Sequence, residues 1–207
     1  MSATAQALAG EQQGAAGVLV LAAGRSRRFG ADKRHALLPS GRTVLWQVID
    51  RVRDAGLPLL TCLGGEDVEL AAALQSGGVP VMRCLQAHRG MGATLAEGAA
   101  ALPPWRAAIV ALADMPWVTP ATFLDLASAT DVDGITVPRH DGRRGNPVAF
   151  GARFFPVLMR CTGDRGARTV LSEAADRVRE LPVSDPGILR DIDRPADLPA
   201  ATGSALR

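Results

Sequence analysis

The chain is poor in the residues that mark specialised classes of protein. Its 207 residues include three cysteines, Cys62, Cys84 and Cys161. They are odd in number, far apart, and form neither a C-x-x-C pair nor a metal-ligand spacing with a histidine. That excludes a disulfide scaffold and a zinc module, and the thiols read as small core residues in a reducing compartment. Long apolar runs are also missing. Residues 18–23 and 107–113 are strand-sized, well short of the ~20 residues needed to span a bilayer, so no membrane partner is expected. Histidine is scarce: His35, His88 and His140 show no clustering with acids or cysteines, and for each an exposed or core role is expected over catalysis. Aromatics make up 4%, and Trp46, Trp105 and Trp117 read as packing residues. Neither sign of charge dominates, with 23 Lys and Arg against 21 Asp and Glu spread along the chain, so nucleic acid is not the implied partner. The opening MSATAQALAGEQQGAAG has no basic start and no sustained apolar core, and Arg27-Arg28 follows the first apolar run instead of preceding it. Neither a secretory nor a twin-arginine signal is expected, and the cytoplasm is the expected compartment.

Lysine is scarcer still. Lys33 is the only one among the 23 basic residues, inside VLVLAAGRSRRFGADKR. A compact ammonium on a flexible stem neutralises phosphate as a point charge, whereas guanidinium is a rigid planar fork. A lysine kept at this one place suggests a polyphosphate site; the alternative is that one lysine had to fall somewhere in an arginine-biased chain.

The periodicity predicts an α/β chain. VLVLA (18–22), PLLTCL (58–63), VPVMRC (79–84) and AAIVALA (107–113) read as strands. Between them, Val44, Leu45, Val48, Ile49 and Val52 recur at helical spacing after Thr43 as N-cap and before Gly56, and EDVELAAALQ and ATLAEGAAAL read as further helices. Thr119-Pro120 predicts a helix start over ATFLDLASA. After it, ITVP and PVAF flank the polar HDGRRGN, a short β excursion near residues 134–150; residues 166–176 read as a helix and DRVRELPV as a late strand. The expectation is one Rossmann-like, three-layer domain over residues 17–199 with a mostly parallel sheet, between a disordered lead (1–16) and a disordered tail (200–207).

Two segments carry chemistry on their own residues. In Ala22-Ala23-Gly24-Arg25-Ser26-Arg27-Arg28-Phe29-Gly30-Ala31-Asp32-Lys33, small residues let backbone N–H groups approach an anion while basic side chains add charge. It is neither a Walker loop nor a dinucleotide G-x-G-x-x-G. Asp114, in Leu112-Ala113-Asp114-Met115-Pro116, stands at the carboxyl end of a strand, where open α/β sheets bind ligands. Magnesium needs one or two carboxylates beside phosphate oxygens and water, so Asp114 suits it; capping of the next helix is the rival role, weakened because Thr119 already serves there. Asp191-Ile192-Asp193-Arg194-Pro195-Ala196-Asp197-Leu198, taken alone, reads as an acidic turn capping a short helix.

Leu21 to Lys33 matches L-A-A-G-x-S-x-R-[MF]-G-x-x-K, and Leu37-Leu38-Pro39 follows. With Leu112 to Pro116, Gly145-Asn146-Pro147-Val148, Gly163-Asp164-Arg165-Gly166-Ala167-Arg168 and Asp191 to Leu198 in the same order, the chain resembles the MobA-like NTP transferase family, on the side of its molybdenum cofactor cytidylyltransferases. Ala22-Ala23 is similar to that branch; the guanylyl branch usually shows Ala-Gly-Gly. The resemblance implies CMP transfer from CTP to the phosphate of molybdopterin with release of pyrophosphate, and a molybdoenzyme as recipient of the product. It implies Arg28, Lys33 and Asp114 as catalytic residues, magnesium between Asp114 and Asp193, and nucleotide contacts from Leu21, Ala22, Ala23, Gly24, Arg25, Arg28, Lys33, Gly92, Thr94 and Asp114. Asn146, Pro147, Arg165 and Arg168 would face the acceptor, although arginines there equally suit a solvated face. Whether Asp191 or Asp193 faces the metal stays open. GTP or a sugar or polyol phosphate as substrate, and a carrier of the cofactor that does no chemistry, are the rival readings.

Overall fold

The computed structural model describes residues 14–24 and 29–199. Residues 1–13 of the expected lead, the expected tail 200–207, and the candidate nucleotide contacts Arg25 and Arg28 lie outside the described residues. The first strand, β1 (Ala16–Leu21), begins one residue inside the expected lead. The chain then runs through α1 (Val44–Asp54), β2 (Leu59–Gly64), α2 (Val68–Ser76), β3 (Val81–Cys84), α3 (Met91–Ala100), β4 (Ala107–Leu112) and α4 (Pro120–Ala129). It continues with β5 (Ile135–His140), β6 (Arg143–Arg144), β7 (Val148–Gly151), α5 (Phe155–Leu158), α6 (Arg168–Glu173) and β8 (Val178–Pro182).

Local chemistry sets the helix ends. The Thr43 hydroxyl accepts the Trp46 N–H at 3.4 Å, and Gly56, at φ +66°, takes the left-handed turn that releases the chain toward β2. Thr119 caps α4 with Pro120 in its first turn. The alternation of β1 then divides the core. Val18 and Val20 face a cluster with Leu45, Ile49, Leu74 and Phe123 from α1, α2 and α4; Leu19 and Leu21 face the other side, with Leu95, Leu158 and Val170 from α3, α5 and α6. A sheet buried on both faces needs apolar residues at successive positions, which is why VLVL shows no polar alternation. The result is the expected three layers.

The eight-stranded sheet runs β3-β2-β1-β4-β7-β5, with β6 and β8 also paired to β5. Strands β3, β2, β1 and β4 are parallel, and β7 joins antiparallel to β4 and β5. The segment near 134–150 is therefore a hairpin that extends the sheet, and its returning arm is broken at 145–147 into β6 and β7. Among the described residues, no helix is long and apolar enough to cross a membrane.

This topology determines where a site forms. Strand β1 lies between β2, reached through α1, and β4, reached through α3 on the opposite face, so the connections leaving β1 and β3 diverge around it. Leu21 pairs in register with Leu112, which brings the carboxyl ends of β1 and β4 level. A crevice opens where the strand order reverses.

Candidate active site

At that crevice lies a cavity of about 550 Å³. Leu21, Ala22, Ala23 and Gly24 come to it from the end of β1, and Leu112, Ala113 and Asp114 from the end of β4. Lys33 enters from a 3-10 turn (Lys33–His35) whose N-cap is Asp32. Asp193 arrives from the C-terminal segment.

Three groups separated by 81 and 160 positions meet there. The Lys33 ammonium donates to Asp114 Oδ2 at 2.7 Å, to the Ile192 carbonyl at 2.7 Å and to Asp193 Oδ1 at 3.2 Å. The Lys33 side chain is 14% exposed and that of Asp114 is 21% exposed, so the pair is only weakly screened by water. Burial opposes the charge on Lys33, but Asp114 and then Asp193 outweigh it and hold the ammonium above the ordinary lysine value. Asp114 sits above the ordinary carboxylate value because burial exceeds the help it gets from Lys33. At a 2.7 Å contact we read both groups as ionised near neutrality. Asp114 Oδ1 is buried and has no hydrogen-bond partner among the described residues.

The C-terminal segment is fixed by its apolar middle residue. Ile192 is fully buried with Leu38 and Val44, and its N–H donates to the Asp114 carbonyl at 2.9 Å. This leaves Asp193, and not Asp191, bonded to Lys33, while Asp191 is exposed and raises the Asp114 pKa through its charge. The local cap survives Arg194: Asp197 Oδ2 accepts the N–H groups of Asp193 at 2.9 Å and Arg194 at 2.7 Å.

The facing wall comes from the loop 87–91 with Thr94 and Asp164. The two loops are packed backbone to backbone. Gly90 has φ +111°, and a Cβ there would stand 2.5 Å from Asp164 Oδ1; the Gly92 N–H donates to the Gly163 carbonyl at 2.7 Å. Gly92 is buried in that packing and does not line the cavity. Asn146, Pro147, Arg165 and Arg168 do not line it either. The Asn146–Pro147 peptide is cis, and the Asn146 N–H donates to the Ile188 carbonyl at 2.9 Å. Arg165 and Arg168 are exposed.

Two residues of the site carried no clear signal in the sequence. Asp164 was legible only as part of a motif. Arg34 was one arginine among many, yet its side chain is 11% exposed and bonded to Asp32, Asp67 and the Ala22 carbonyl. Among the described residues, no cluster of three or more His, Cys, Asp or Glu is placed to hold a metal. The pair Asp114 and Asp193 nevertheless offers hard oxygen donors, Asp114 Oδ1 among them without a partner in the described residues, as magnesium requires alongside phosphate and water.

The chain is similar to known proteins over most of its length. Residues 18–178 match the model of the MobA-like NTP transferase domain. A probable molybdenum cofactor guanylyltransferase of Mycobacterium ulcerans (strain Agy99) is 33% identical over 193 residues, covering 88% of this chain and 90% of that protein. The crystal structure of Rv0371c from Mycobacterium tuberculosis H37Rv is 30% identical, with a TM-score of 0.76 over 89% of this chain and 95% of that one. A complex of Rv0371c with manganese is 28% identical, with a TM-score of 0.68 over 83% and 89%.

Proposed function

Because the chain belongs to the MobA-like NTP transferase family and is a nucleotidyltransferase, we propose that it moves CMP from CTP onto the phosphate of molybdopterin, releasing pyrophosphate. The observation that carries this reading is the Asp114–Lys33–Asp193 cluster, set at the mouth of a crevice flanked by the small-residue turn Ala22–Gly24. Backbone N–H groups without side-chain bulk and a buried ammonium suit a triphosphate.

The chemistry is an in-line displacement. An oxygen of the acceptor phosphate forms a bond to the α-phosphorus as the bond from that phosphorus to the bridging oxygen breaks, and pyrophosphate leaves with the electron pair. A phosphate acceptor is already ionised at neutral pH, so no general base is needed. Lys33, aided by Arg28, offsets charge that develops on the leaving pyrophosphate. Magnesium, held by Asp114 and Asp193, would supply further neutralisation of the phosphate oxygens; Asp114 Oδ1, which has no partner among the described residues, supports that fit, and a relative has been crystallised with manganese. Asp114 and Asp193 otherwise keep Lys33 aimed at the crevice. Asn146, Pro147, Arg165 and Arg168 are proposed to meet the acceptor outside the cavity.

Ala23 lines the cavity and stands where the guanylyl branch usually shows glycine, and that likeness is what puts CTP first. GTP is the second reading, favoured by the guanylyltransferase name of the M. ulcerans relative. Purified protein incubated with each of the four NTPs, magnesium and the pterin acceptor, with pyrophosphate measured, tests both. CTP is expected to give the signal and Asp114→Ala to lower it at least about a hundredfold. A signal from GTP alone replaces the first reading with the second, and near wild-type turnover by Asp114→Ala sinks the metal assignment.

A further inference from the structure

Arg34 stands next to Lys33 in the chain but points into a different set of partners. Its Nε donates to Asp32 Oδ1 at 2.9 Å. Nη1 donates to the Ala22 carbonyl at 2.7 Å and to Asp67 Oδ2 at 2.6 Å, and Nη2 to Asp32 Oδ2 at 2.6 Å and Asp67 Oδ1 at 2.7 Å. A guanidinium has five N–H groups, and each is engaged. To bind a phosphate, Arg34 would have to give up a charge-assisted bond, and the two carboxylates around its one positive charge make the neighbourhood unfavourable to an anion. It borders the cavity without a donor to spare.

Its three partners belong to three separate pieces of the site. Ala22 follows β1 and opens the small-residue turn. Asp32 precedes Lys33 and caps its 3-10 turn, accepting the Arg34 N–H at 3.0 Å. Asp67 follows β2 and accepts the N–H of Gly64, its last residue, at 2.8 Å. We propose that Arg34 is the positioning residue of this site, which sets the Lys33 ammonium and the Ala22–Gly24 turn at a fixed separation by bonding both to the end of β2. The planar fork is what allows one side chain to hold two carboxylates and a carbonyl; lysine has three donors at a single point and cannot reproduce it.

The proposal rests on the nucleotidyl-transfer reading and acts through Lys33. Misplacing a catalytic group by about an ångström costs on the order of a hundredfold in rate. Arg34→Ala should therefore lower kcat by about a hundredfold while the KM for the NTP changes less than about threefold, and added guanidinium should restore part of kcat. The double variant Arg34→Ala/Lys33→Met should be slower than Lys33→Met alone by much less than the hundredfold that Arg34→Ala costs by itself, because only the Ala22–Gly24 turn is left to position. Arg34→Lys should fall between wild type and Arg34→Ala. Should Arg34→Ala fail to fold, Asp67→Asn, which leaves the guanidinium in place with one anchor weakened, should show a smaller kcat loss in the same pattern. A loss that lies in KM, a wild-type kcat in both Arg34→Ala and Asp67→Asn, or losses that add in the double variant each overturn the assignment. Absence of pyrophosphate release by the wild-type protein with every NTP would instead remove the reading beneath it.

Discussion

Lys33→Met is the most informative perturbation of stability, because methionine keeps the length and removes the charge. In the wild-type protein the ammonium donates to Asp114, Ile192 and Asp193, and Asp114 Oδ2 has Lys33 as its partner at 2.7 Å while Oδ1 has none among the described residues. The variant leaves a buried carboxylate uncompensated. Breaking a buried ion pair by removing one partner costs about 3–5 kcal/mol; with side chains 14% and 21% exposed, the low end, about 3 kcal/mol, applies. For a chain of this length each kcal/mol shifts Tm by roughly 2–4 °C, which gives a fall of roughly 6–12 °C. The pH dependence has a definite sign. Lys33 is raised above 10.5 in the folded state, so its contribution is fully present below that value and is lost only as pH rises through the folded pKa. In the variant, Asp114 is raised further and its penalty is relieved as pH falls through its own folded pKa, so the gap to wild type should narrow in acid. Thermal melts in EDTA at pH 8 and pH 5.5, without nucleotide, measure this. Lys33→Met/Asp114→Asn should regain at least half of the lost stability, since the stranded charge is gone. A Lys33→Met melt within about 2 °C of wild type at pH 8 would refute the reasoning. Lys33→Arg extends the test to activity: the charge remains, but a planar fork does not fit the acceptors that Asp114, Ile192 and Asp193 place around the ammonium, and a large loss of turnover is expected.

Gly92→Ala should cost about 1–3 kcal/mol, because its Cβ would stand 2.5 Å from the Thr162 carbonyl oxygen and backbone cannot yield as a flexible side chain does; an unchanged melt would show that the two loops are not packed as described. On the proposed metal role, protons and magnesium compete for Asp114, whose pKa lies above the ordinary 3.8, so the acid limb of kcat/KM should fall above that value and move to lower pH as magnesium is raised. An acid limb that ignores magnesium concentration would count against Asp114 as its ligand.

Much of the fold was legible because its determinants are local. Apolar runs of strand length, helical spacing in residues 44–52 and threonine caps at Thr43 and Thr119 act within a few residues of themselves. The late hairpin was legible as two strands and a polar turn. Its place between β4 and β8 was not, since strand partners are chosen across the whole sheet.

The sequence by itself determined a two-face-buried α/β sheet, the lone lysine in a small-residue loop, and a carboxylate at the end of the fourth strand. Only the tertiary structure decided that Lys33 bridges Asp114 and Asp193, that Asp193 and not Asp191 turns to it, and that Arg34 ties the turn, the lysine and β2 together. The physical reason is the same in each case. Burial of Ile192 orients the acids on either side of it, and the value of a charge depends on which distant partners share its low-dielectric surroundings. Periodicity reports what a segment prefers, and the crevice depends on which segments meet.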